Sequence, residues 1–271
     1  MTTEPKTVAI AGLGTIGLPA ARWLDEGVPG LKLVAASSSS LEKVRELTAD
    51  FRNPPAPMHN SELASVADIV VEALPPAYFL EVAKPAIEQG RTLVIVTLTQ
   101  LLANYELVER ARETGAHIIG ATGALVGFDS VRAAAKGTIH EIVMKTRKPP
   151  KGLANAPFVK EQGIDLLSLT EPLCLYRGSV REAAQKFPSN VNVAVALSLA
   201  GVGPDRTNYE VWADPTIDRN THTVVVDADS THFEMSIANV PSENNPITGK
   251  LTPLSVIATL ERFVATLTVG S

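Results

Sequence analysis

The sequence predicts an α/β protein with a doubly wound parallel sheet, followed by a second, α+β domain that carries a mixed or antiparallel sheet. In the first half of the chain, short β-branched apolar runs alternate with helix-like segments, as in parallel sheets buried on both faces. In the second half, three strand-like runs follow one another without a helix, which indicates antiparallel or mixed pairing. A length of 271 residues suggests two domains of ordinary size.

The predicted elements of the first half are short and regularly spaced. Strands are expected at 8–11, 31–36, 68–74, 92–98 and 117–119, where apolar runs are bounded by polar residues or glycine. Helices are expected at 20–24, 41–48, 78–89 and 104–114, and a glycine directly follows each of the last two. This alternation predicts that neighbouring strands run parallel.

The pattern changes near residue 138. Strands are expected at 138–146, 209–213, 221–227 and 231–238, the first with clear alternation. A helix rich in small residues is expected at 188–200, with Ser189 or Asn190 as its cap. A last helix, 253–267, carries apolar residues at helical spacing. The helix at 188–200 and the strands suggest an interaction face, and we expect a homodimer.

Composition excludes several classes of protein. Hydrophobic residues make up 45% and charged residues 20%, as in soluble globular chains. The net charge of −5 provides no overall attraction for nucleic acid or an anionic membrane, so neither is an expected partner. The single cysteine, Cys174, excludes an intramolecular disulfide, and no Cys/His cluster predicts a metal site. No signal peptide or membrane-length apolar run is recognisable, so we expect a cytoplasmic protein.

A GxGxxG motif, Gly12-Leu-Gly14-Thr15-Ile16-Gly17, follows the first strand and opens a helix. The first glycine permits the tight turn, the second lets the backbone approach a pyrophosphate, and the third lets helix and strand pack closely. In this context the motif predicts a Rossmann dinucleotide-binding domain, with the phosphates at the helix N-terminus. The alternative is a glycine-bearing turn that binds nothing.

The end of the second strand bears on the choice between NAD and NADP. An acidic residue there binds the ribose 2′-hydroxyl of NAD and repels a 2′-phosphate. This chain has Ser37 and Ser38, the first of four serines, with Lys43 and Arg45 one turn later. Hydroxyls can donate to a phosphate, so the sequence favours NADP or dual use over strict NAD use. A solvated loop that accepts either cofactor is the alternative.

His222 is the candidate acid/base among the five histidines. It lies at a loop–strand junction among polar residues, and an imidazole titrates near neutral pH. A structural histidine is the alternative. The adjacent cations Arg147 and Lys148 could bind substrate carboxylates, or could belong to a solvated loop. Asn192 could meet the nicotinamide carboxamide or cap a helix.

These stretches together resemble the L-aspartate dehydrogenase family. The matching motifs are GLGTIG at 12–17, TGALVGFD at 122–129, TRKPP at 146–150, FPSNVNVA at 187–194, DP at 214–215, RNTH at 219–222 and PSENNPITG at 241–249. The resemblance extends from about residue 6 to the C-terminal helix. Three segments depart from the family's usual pattern: the serines 37–40, the segment 72–76 and the segment 96–101.

The resemblance implies oxidation of L-aspartate to iminosuccinate, which hydrolyses to oxaloacetate and ammonia, and the reverse reductive amination. It implies that His222 is the active-site residue and that Ala124 and Asn192 contact the nicotinamide nucleotide. It also implies a dinucleotide-binding domain made of 1–124 plus 245–271, and a catalytic and dimerisation domain at 125–244.

The substrate remains the most open part of this interpretation. Our hypothesis is that Arg147, Lys148, Asn244 and Asn245 hold the carboxylates of aspartate. One alternative is an imine or amino-acid dehydrogenase that acts on another small dicarboxylate, which the departure at 96–101 suggests. A more remote alternative is a non-catalytic module that senses dinucleotides, although a sensor needs no polar set such as that around His222.

Overall fold

The computed structural model describes residues 4–188, 190–243 and 248–270, and the chain divides into two compact units. The first unit contains the residues up to Gly123 together with Thr252–Val269. The second unit contains Ala124–Leu251 and the C-terminal Gly270. The structural boundaries therefore lie at 123/124 and 251/252, compared with the expected 124/125 and 244/245.

The first unit is built on a parallel sheet with the strand order β3-β2-β1-β4-β5-β6. Its elements up to residue 120 are β1 Lys6–Ala11, α1 Gly17–Asp25, β2 Leu31–Ser37, α2 Leu41–Leu47, β3 Ala56–Pro57, β4 Ile69–Glu72, α3 Phe79–Glu88, β5 Thr92–Ile95, α4 Leu98–Ala103, α5 Glu106–Thr114 and β6 His117–Gly120. This is the Rossmann strand order, so the predicted fold class is confirmed.

The central strands of this sheet are buried on both faces. Val8, Ile10, Val71 and Val94 are completely inaccessible to solvent, which explains why their strands consist of continuous apolar runs. The strand order reverses direction between β1 and β4, and ligands of doubly wound sheets bind beyond the carboxyl ends of the strands at such a point. The glycine loop at 12–17 directly follows the carboxyl end of β1.

The predicted strand 92–98 is shorter in the structure. It ends at Ile95, and the chain turns into the unpredicted helix α4. The reason is a tertiary contact: the backbone N–H and the hydroxyl of Thr97 both donate to the buried carboxylate of Glu72. A continuous apolar run cannot by itself show where the sheet ends and a buried helix begins.

The second unit contains a mixed sheet with the strand order β11-β10-β7-β9-β8, in which only the β7–β9 pair is parallel among the described strands. Its elements are α6 Phe128–Ala134, β7 Ile139–Lys148, α7 Pro157–Glu161, β8 Leu173–Ser179, α8 Val180–Lys186, α9 Asn192–Ala200, β9 Thr207–Ala213, β10 Asn220–Ala228 and β11 His232–Asn239. The last helix is α10, Leu251–Glu261, which from Thr252 onward belongs to the first unit.

Several boundaries in the second half differ from the sequence-based prediction, and β8 and the helices α6, α7 and α8 were not predicted. Strand β7 continues through Lys148 instead of ending at 146. Helix α9 begins at Asn192 rather than 188, since the backbone N–H of Asn190 donates to Phe187 in a preceding turn. Helix α10 ends at Glu261 rather than 267. The described helices are all too short or too polar to cross a membrane.

Candidate active site

The three glycines of the loop between β1 and α1 have different surroundings. Gly12 has a φ of +93°, and a Cβ there would lie 2.6 Å from the carbonyl oxygen of Ala73. A Cβ on Gly17 would overlap the carbonyl oxygen of Gly12. A Cβ on Gly14 would have no atom within 4 Å. Gly12 and Gly17 are therefore required by the fold, whereas the space above Gly14 is open for a ligand.

The N-terminus of α1 has the features of an anion-binding site. Its N-cap residue, Ile16, has no side chain that could accept from the first backbone N–H groups, and the first turn carries no acidic residue. Thr15 and Ile16 are half-buried, and Gly14 is exposed. Backbone N–H groups and the helix dipole favour negative charge at this point, so the loop fits a dinucleotide pyrophosphate.

Ser37 and Ser38 lie in different environments at the end of β2. Ser37 is buried, and its hydroxyl donates to the amide oxygen of Asn60 at 2.6 Å. The amide nitrogen of Asn60 in turn donates to Glu81 at 2.8 Å. Ser38 is only partly buried. Ser38 is therefore the more accessible of the two predicted cofactor contacts.

The cations after this turn are paired on the surface of α2. Lys43 lies 2.8 Å from Glu46, and Arg45 lies 3.4 Å from Glu42. Exposed pairs one helical turn apart are weak, so an incoming phosphate could compete for either cation. Lys43 and Arg45 therefore lie close to the serine segment, and their weak surface pairs leave either cation able to bind a phosphate.

A buried carboxylate, Glu72, organises two loops at the carboxyl edge of the sheet. Its oxygens accept from the backbone N–H of Leu74 at 2.9 Å and from the hydroxyl of Thr97 at 2.8 Å. Burial raises the pKa of Glu72, and these hydrogen bonds only partly oppose that effect. Glu72 thus connects the segments 72–76 and 96–101.

Ala124 is held through its backbone. Its carbonyl oxygen accepts from the side-chain amide of Asn239, the last residue of β11, at 2.8 Å. Asn239 is 4% exposed, and its own amide oxygen has no hydrogen-bond partner among the residues described. Asn239 was not predicted from the sequence, because it contacts a residue 115 positions earlier in the chain.

His222 is the centre of a buried hydroxyl–imidazole chain in the second unit. It pairs with Thr146 across β10 and β7, and its Nδ1 lies 2.9 Å from the Thr146 hydroxyl oxygen. The Tyr209 hydroxyl, on β9, donates to the same oxygen at 2.9 Å. All three side chains are at most 2% exposed. The other four histidines are exposed, which distinguishes His222 from them.

The electrostatic environment keeps His222 neutral. Burial, and to a lesser degree the positive charge of Lys148, lowers the pKa of His222 to about 3. Among the described residues, no carboxylate contacts the ring to oppose this shift. At neutral pH the ring is therefore an uncharged imidazole.

Lys148 is a buried amine on the same face of the sheet. Side chains two positions apart on a strand share a face, so Lys148 lies beside Thr146. Its Nζ lies 3.0 Å from the amide oxygen of Asn190 and 3.4 Å from the Asn190 backbone oxygen. Burial lowers the pKa of Lys148 to about 8. Within the part of the chain that the structure describes, no carboxylate pairs with this amine.

Arg147 lies on the opposite face from His222 and Lys148, because adjacent residues of a strand alternate. Its guanidinium is 2.8 Å from the carboxylate of Asp214. Burial alone would raise the pKa of Asp214, but hydrogen bonds from Thr216 and the charge of Arg147 hold it below its usual value. The structure therefore does not bring Arg147 together with His222.

The remaining predicted site residues lie in three different situations. Asn192 is the first residue of α9 and is partly buried. Asn190 does not cap α9, since its side chain accepts from Lys148. Ser189, Asn244 and Asn245 lie outside the described residues. The second unit thus offers a neutral imidazole and a buried amine that no described carboxylate neutralises, a combination that can bind an anionic substrate and stabilise charge on it.

Each of the two units matches a known family model. Residues 12–120 match a family model described as the homoserine dehydrogenase NAD-binding domain. Residues 129–263 match the model for the C-terminal part of aspartate dehydrogenase. The two models together cover the glycine loop and the surroundings of His222.

Similar whole chains carry a consistent description. An L-aspartate dehydrogenase of Bradyrhizobium diazoefficiens is 51% identical over 97% of this chain and 94% of its own. An "L-aspartate dehydrogenase 3" of Bordetella bronchiseptica is 45% identical over 99% of this chain and 98% of its own. The crystal structure of aspartate dehydrogenase from Thermotoga maritima has a TM-score of 0.73 at 23% identity, covering 98% of this chain and 99% of that chain.

Proposed function

The chain belongs to the L-aspartate dehydrogenase family, and from this premise we propose that it oxidises L-aspartate to iminosuccinate with a nicotinamide dinucleotide. Iminosuccinate then hydrolyses to oxaloacetate and ammonia, and the enzyme also catalyses the reverse reductive amination. The observation that carries the proposal is the buried pair formed by a neutral His222 and Lys148 in the unit that matches the aspartate dehydrogenase model.

The residues of the first unit fit a dinucleotide. Gly12 and Gly17 shape the loop, Gly14 leaves open space, and the backbone N–H groups from Thr15 and Ile16 onward would hold the pyrophosphate. When bound, the nicotinamide accepts the hydride from the α-carbon of the substrate. We assign Ala124 and Asn192 to the nicotinamide nucleotide, with Asn239 holding the backbone of Ala124.

Lys148 is the group that would hold a substrate carboxylate. Among the described residues this buried ammonium has neutral oxygens of Asn190 as partners, and a carboxylate at hydrogen-bond distance would compensate its charge. Arg147 already has Asp214 as its partner on the other face, so we assign it a structural role. Of the two candidate cations, Lys148 is therefore the one that we assign to the substrate. Asn244 and Asn245, which lie outside the described residues, stay in the proposal as further substrate contacts.

We propose that the enzyme uses NADP, or both NADP and NAD. The end of β2 itself carries no acidic residue, so it lacks the carboxylate that would repel a 2′-phosphate. The hydroxyl of Ser38 is accessible, and that of Ser37 already donates to Asn60. The KM values for NAD and NADP test this choice, and a strong preference for NAD would reject it.

Two further properties belong to the proposal. We expect a homodimer, because the exposed face of the second sheet carries a half-buried Trp212 bonded to Glu210 and flanked by Lys145 and Arg177. Aromatic residues and arginine are enriched at such interfaces. Sedimentation of the purified chain measures this. We also expect the enzyme to act in the cytoplasm.

The function is tested by following NAD(P)H oxidation with oxaloacetate plus ammonia, alongside other 2-oxo dicarboxylates. Faster turnover of a different dicarboxylate would favour the alternative substrate. His222→Ala should lower kcat by ~10²-fold or more, since a positioned group at the reacting atoms contributes about that much. His140→Ala, an exposed histidine on β7, serves as the matched control and should change kcat less than about twofold. A loss below about threefold in His222→Ala would remove His222 from the reaction.

A further inference from the structure

The hydroxyl chain that ends at His222 determines which ring nitrogen carries the proton. Tyr209 is 1% exposed, and the Thr146 oxygen is its partner among the residues described. A buried hydroxyl hydrogen without an acceptor is costly, so the Tyr209 proton points at Thr146. The Thr146 hydroxyl has a single proton, and its remaining neighbour is Nδ1 of His222 at 2.9 Å.

With the described residues as partners, one arrangement of protons satisfies every donor among Tyr209, Thr146 and His222. Tyr209 donates to Thr146, and Thr146 donates to Nδ1, which must therefore be unprotonated. A neutral imidazole has one N–H, so the proton lies on Nε2. No hydrogen bond joins Nε2 to any residue in the described ranges, which leaves it for a bound molecule.

We propose that Tyr209 and Thr146 are positioning residues that hold His222 as the Nε2–H tautomer, so that the ring acts on the substrate as a hydrogen-bond donor rather than as a base. The lone pair of the ring is on Nδ1 and is already engaged by Thr146. The ring could accept a proton from the substrate only if the whole chain of hydroxyls reversed. This inference specifies the role of His222 and rests on the proposed function for the identity of the substrate.

The donor role matches a defined step of the reaction. In reductive amination the ammonia lone pair attacks C2 of the 2-oxo acid, a C–N bond forms, and the carbonyl π pair moves onto the oxygen. The Nε2–H donates a hydrogen bond to that oxygen, as a neutral imidazole is able to do. A proton then moves from nitrogen to oxygen within the adduct and gives the neutral carbinolamine. The nitrogen lone pair forms the C=N bond as the C–O bond breaks, and the oxygen leaves as water with a proton from nitrogen. Imine hydrolysis follows the same path backwards. His222 neither gains nor loses a proton.

Tyr209 and Lys148 both oppose protonation of His222. Burial raises the pKa of Tyr209, so the phenol cannot supply a proton through Thr146. Lys148, on the same face, disfavours an imidazolium through its positive charge. Lys148 is the charged side chain on β7, β9 or β10 whose field lowers the pKa of His222. Arg147 and Asp214 pair with each other on the opposite face of the sheet.

The test is the tautomer itself, measured by long-range ¹H–¹⁵N correlation on histidine-labelled full chain at pH 7 without substrate or dinucleotide. Loss of one set of signals in His222→Gln assigns the ring. We expect at least ~tenfold excess of the Nε2–H form in the wild type, because the alternative leaves a buried hydroxyl without an acceptor. A dominant Nδ1–H form, or an imidazolium, would overturn the proposal.

Variants of the hydroxyl chain separate positioning from folding. Thr146→Ser keeps a hydroxyl between Tyr209 and His222 and should keep the wild-type tautomer ratio. Tyr209→Phe frees Thr146 to donate or accept, so both tautomers should appear in comparable amounts, and kcat for amination should fall about twofold with an unchanged KM. A wild-type ratio in Tyr209→Phe would overturn the role of Tyr209. Because the ratio is measured without substrate, failure of aspartate turnover would reject the proposed function and leave the tautomer result standing.

Discussion

Lys148→Met should make the protein more stable and less active. The substitution replaces a buried amine by an apolar side chain of similar length, so packing changes little. The ordinary pKa of a lysine is 10.5, and burial lowers that of Lys148 to about 8. At 1.36 kcal/mol for each pH unit, the charged amine therefore costs the folded state about 3 kcal/mol.

The net gain is smaller because Lys148 also makes hydrogen bonds. Methionine leaves the side-chain and backbone oxygens of Asn190 without this donor, at a cost of about 1 kcal/mol. We therefore expect Lys148→Met to raise the free energy of unfolding by about 2 kcal/mol at pH 7. The KM for oxaloacetate should rise at least tenfold, since the carboxylate loses its buried cation.

The sign of the pH dependence follows from proton linkage. Below pH 8 the amine is charged in both states, and the full cost is present. Between pH 8 and 10.5 the unfolded chain binds more protons than the folded chain, so wild-type stability rises with pH relative to the variant. The advantage of Lys148→Met should therefore be constant below about pH 8 and disappear before pH 10.5, where the lost hydrogen bonds leave the variant about 1 kcal/mol less stable.

Urea unfolding between pH 6 and 10.5 measures these differences. The chain has two tryptophans, Trp23 in the first unit and Trp212 in the second, so a Trp23→Phe background reports on the unit that holds Lys148. Lys145→Met is the control, because its side chain is 44% exposed and pairs only loosely with Glu210. It should change stability by less than about 0.5 kcal/mol at every pH.

Two results would refute this reasoning. The first is a Lys148→Met protein that is less stable than the wild type at pH 7 by more than about 1 kcal/mol. The second is a stability difference between the two proteins that does not vary from pH 7 to pH 10.5. Either would show that the Lys148 amine is not desolvated in the folded chain.

The glycine loop, the serine segment and the Ala124 contact each permit a comparable test. Gly17→Ala should lower the calorimetric Tm by several degrees through overpacking. Gly14→Ala should keep the Tm and raise the dinucleotide Kd about tenfold, because the added methyl group occupies the open space. Equal losses of Tm in the two variants would contradict the open space above Gly14. Ser38→Asp should reduce kcat/KM for NADP at least ~tenfold relative to NAD by charge repulsion, and an unchanged ratio would place the 2′-group elsewhere. Asn239→Ala should raise the KM for the dinucleotide about fivefold and leave the KM for oxaloacetate unchanged, because the Ala124 carbonyl loses its hydrogen bond. Asn208→Ala, at an exposed position, is the control. A dinucleotide KM equal to that of the wild type in Asn239→Ala would argue against the contact.

Local sequence was sufficient where a structure depends on neighbouring residues. The parallel sheet follows from apolar runs that must be buried on both faces, and the glycine loop follows from spacing within six residues. His222 was selected by its position at a loop–strand junction and by the family resemblance, and the structure shows that it is the buried histidine. The sheet and the glycine loop depend on local backbone geometry, which sequence patterns record directly.

Tertiary structure alone decided how the site is assembled. Arg147 and Lys148 look equivalent in sequence, but strand alternation places them on opposite faces, and only Lys148 shares the face of His222. Asn190 looks like a helix cap and is instead the partner of Lys148. Thr146 contacts His222 from 76 positions away, and Tyr209 contacts Thr146 from 63 positions away, because β7 pairs with both β9 and β10. Such contacts depend on which strands pair and in which register, and no local pattern contains that information.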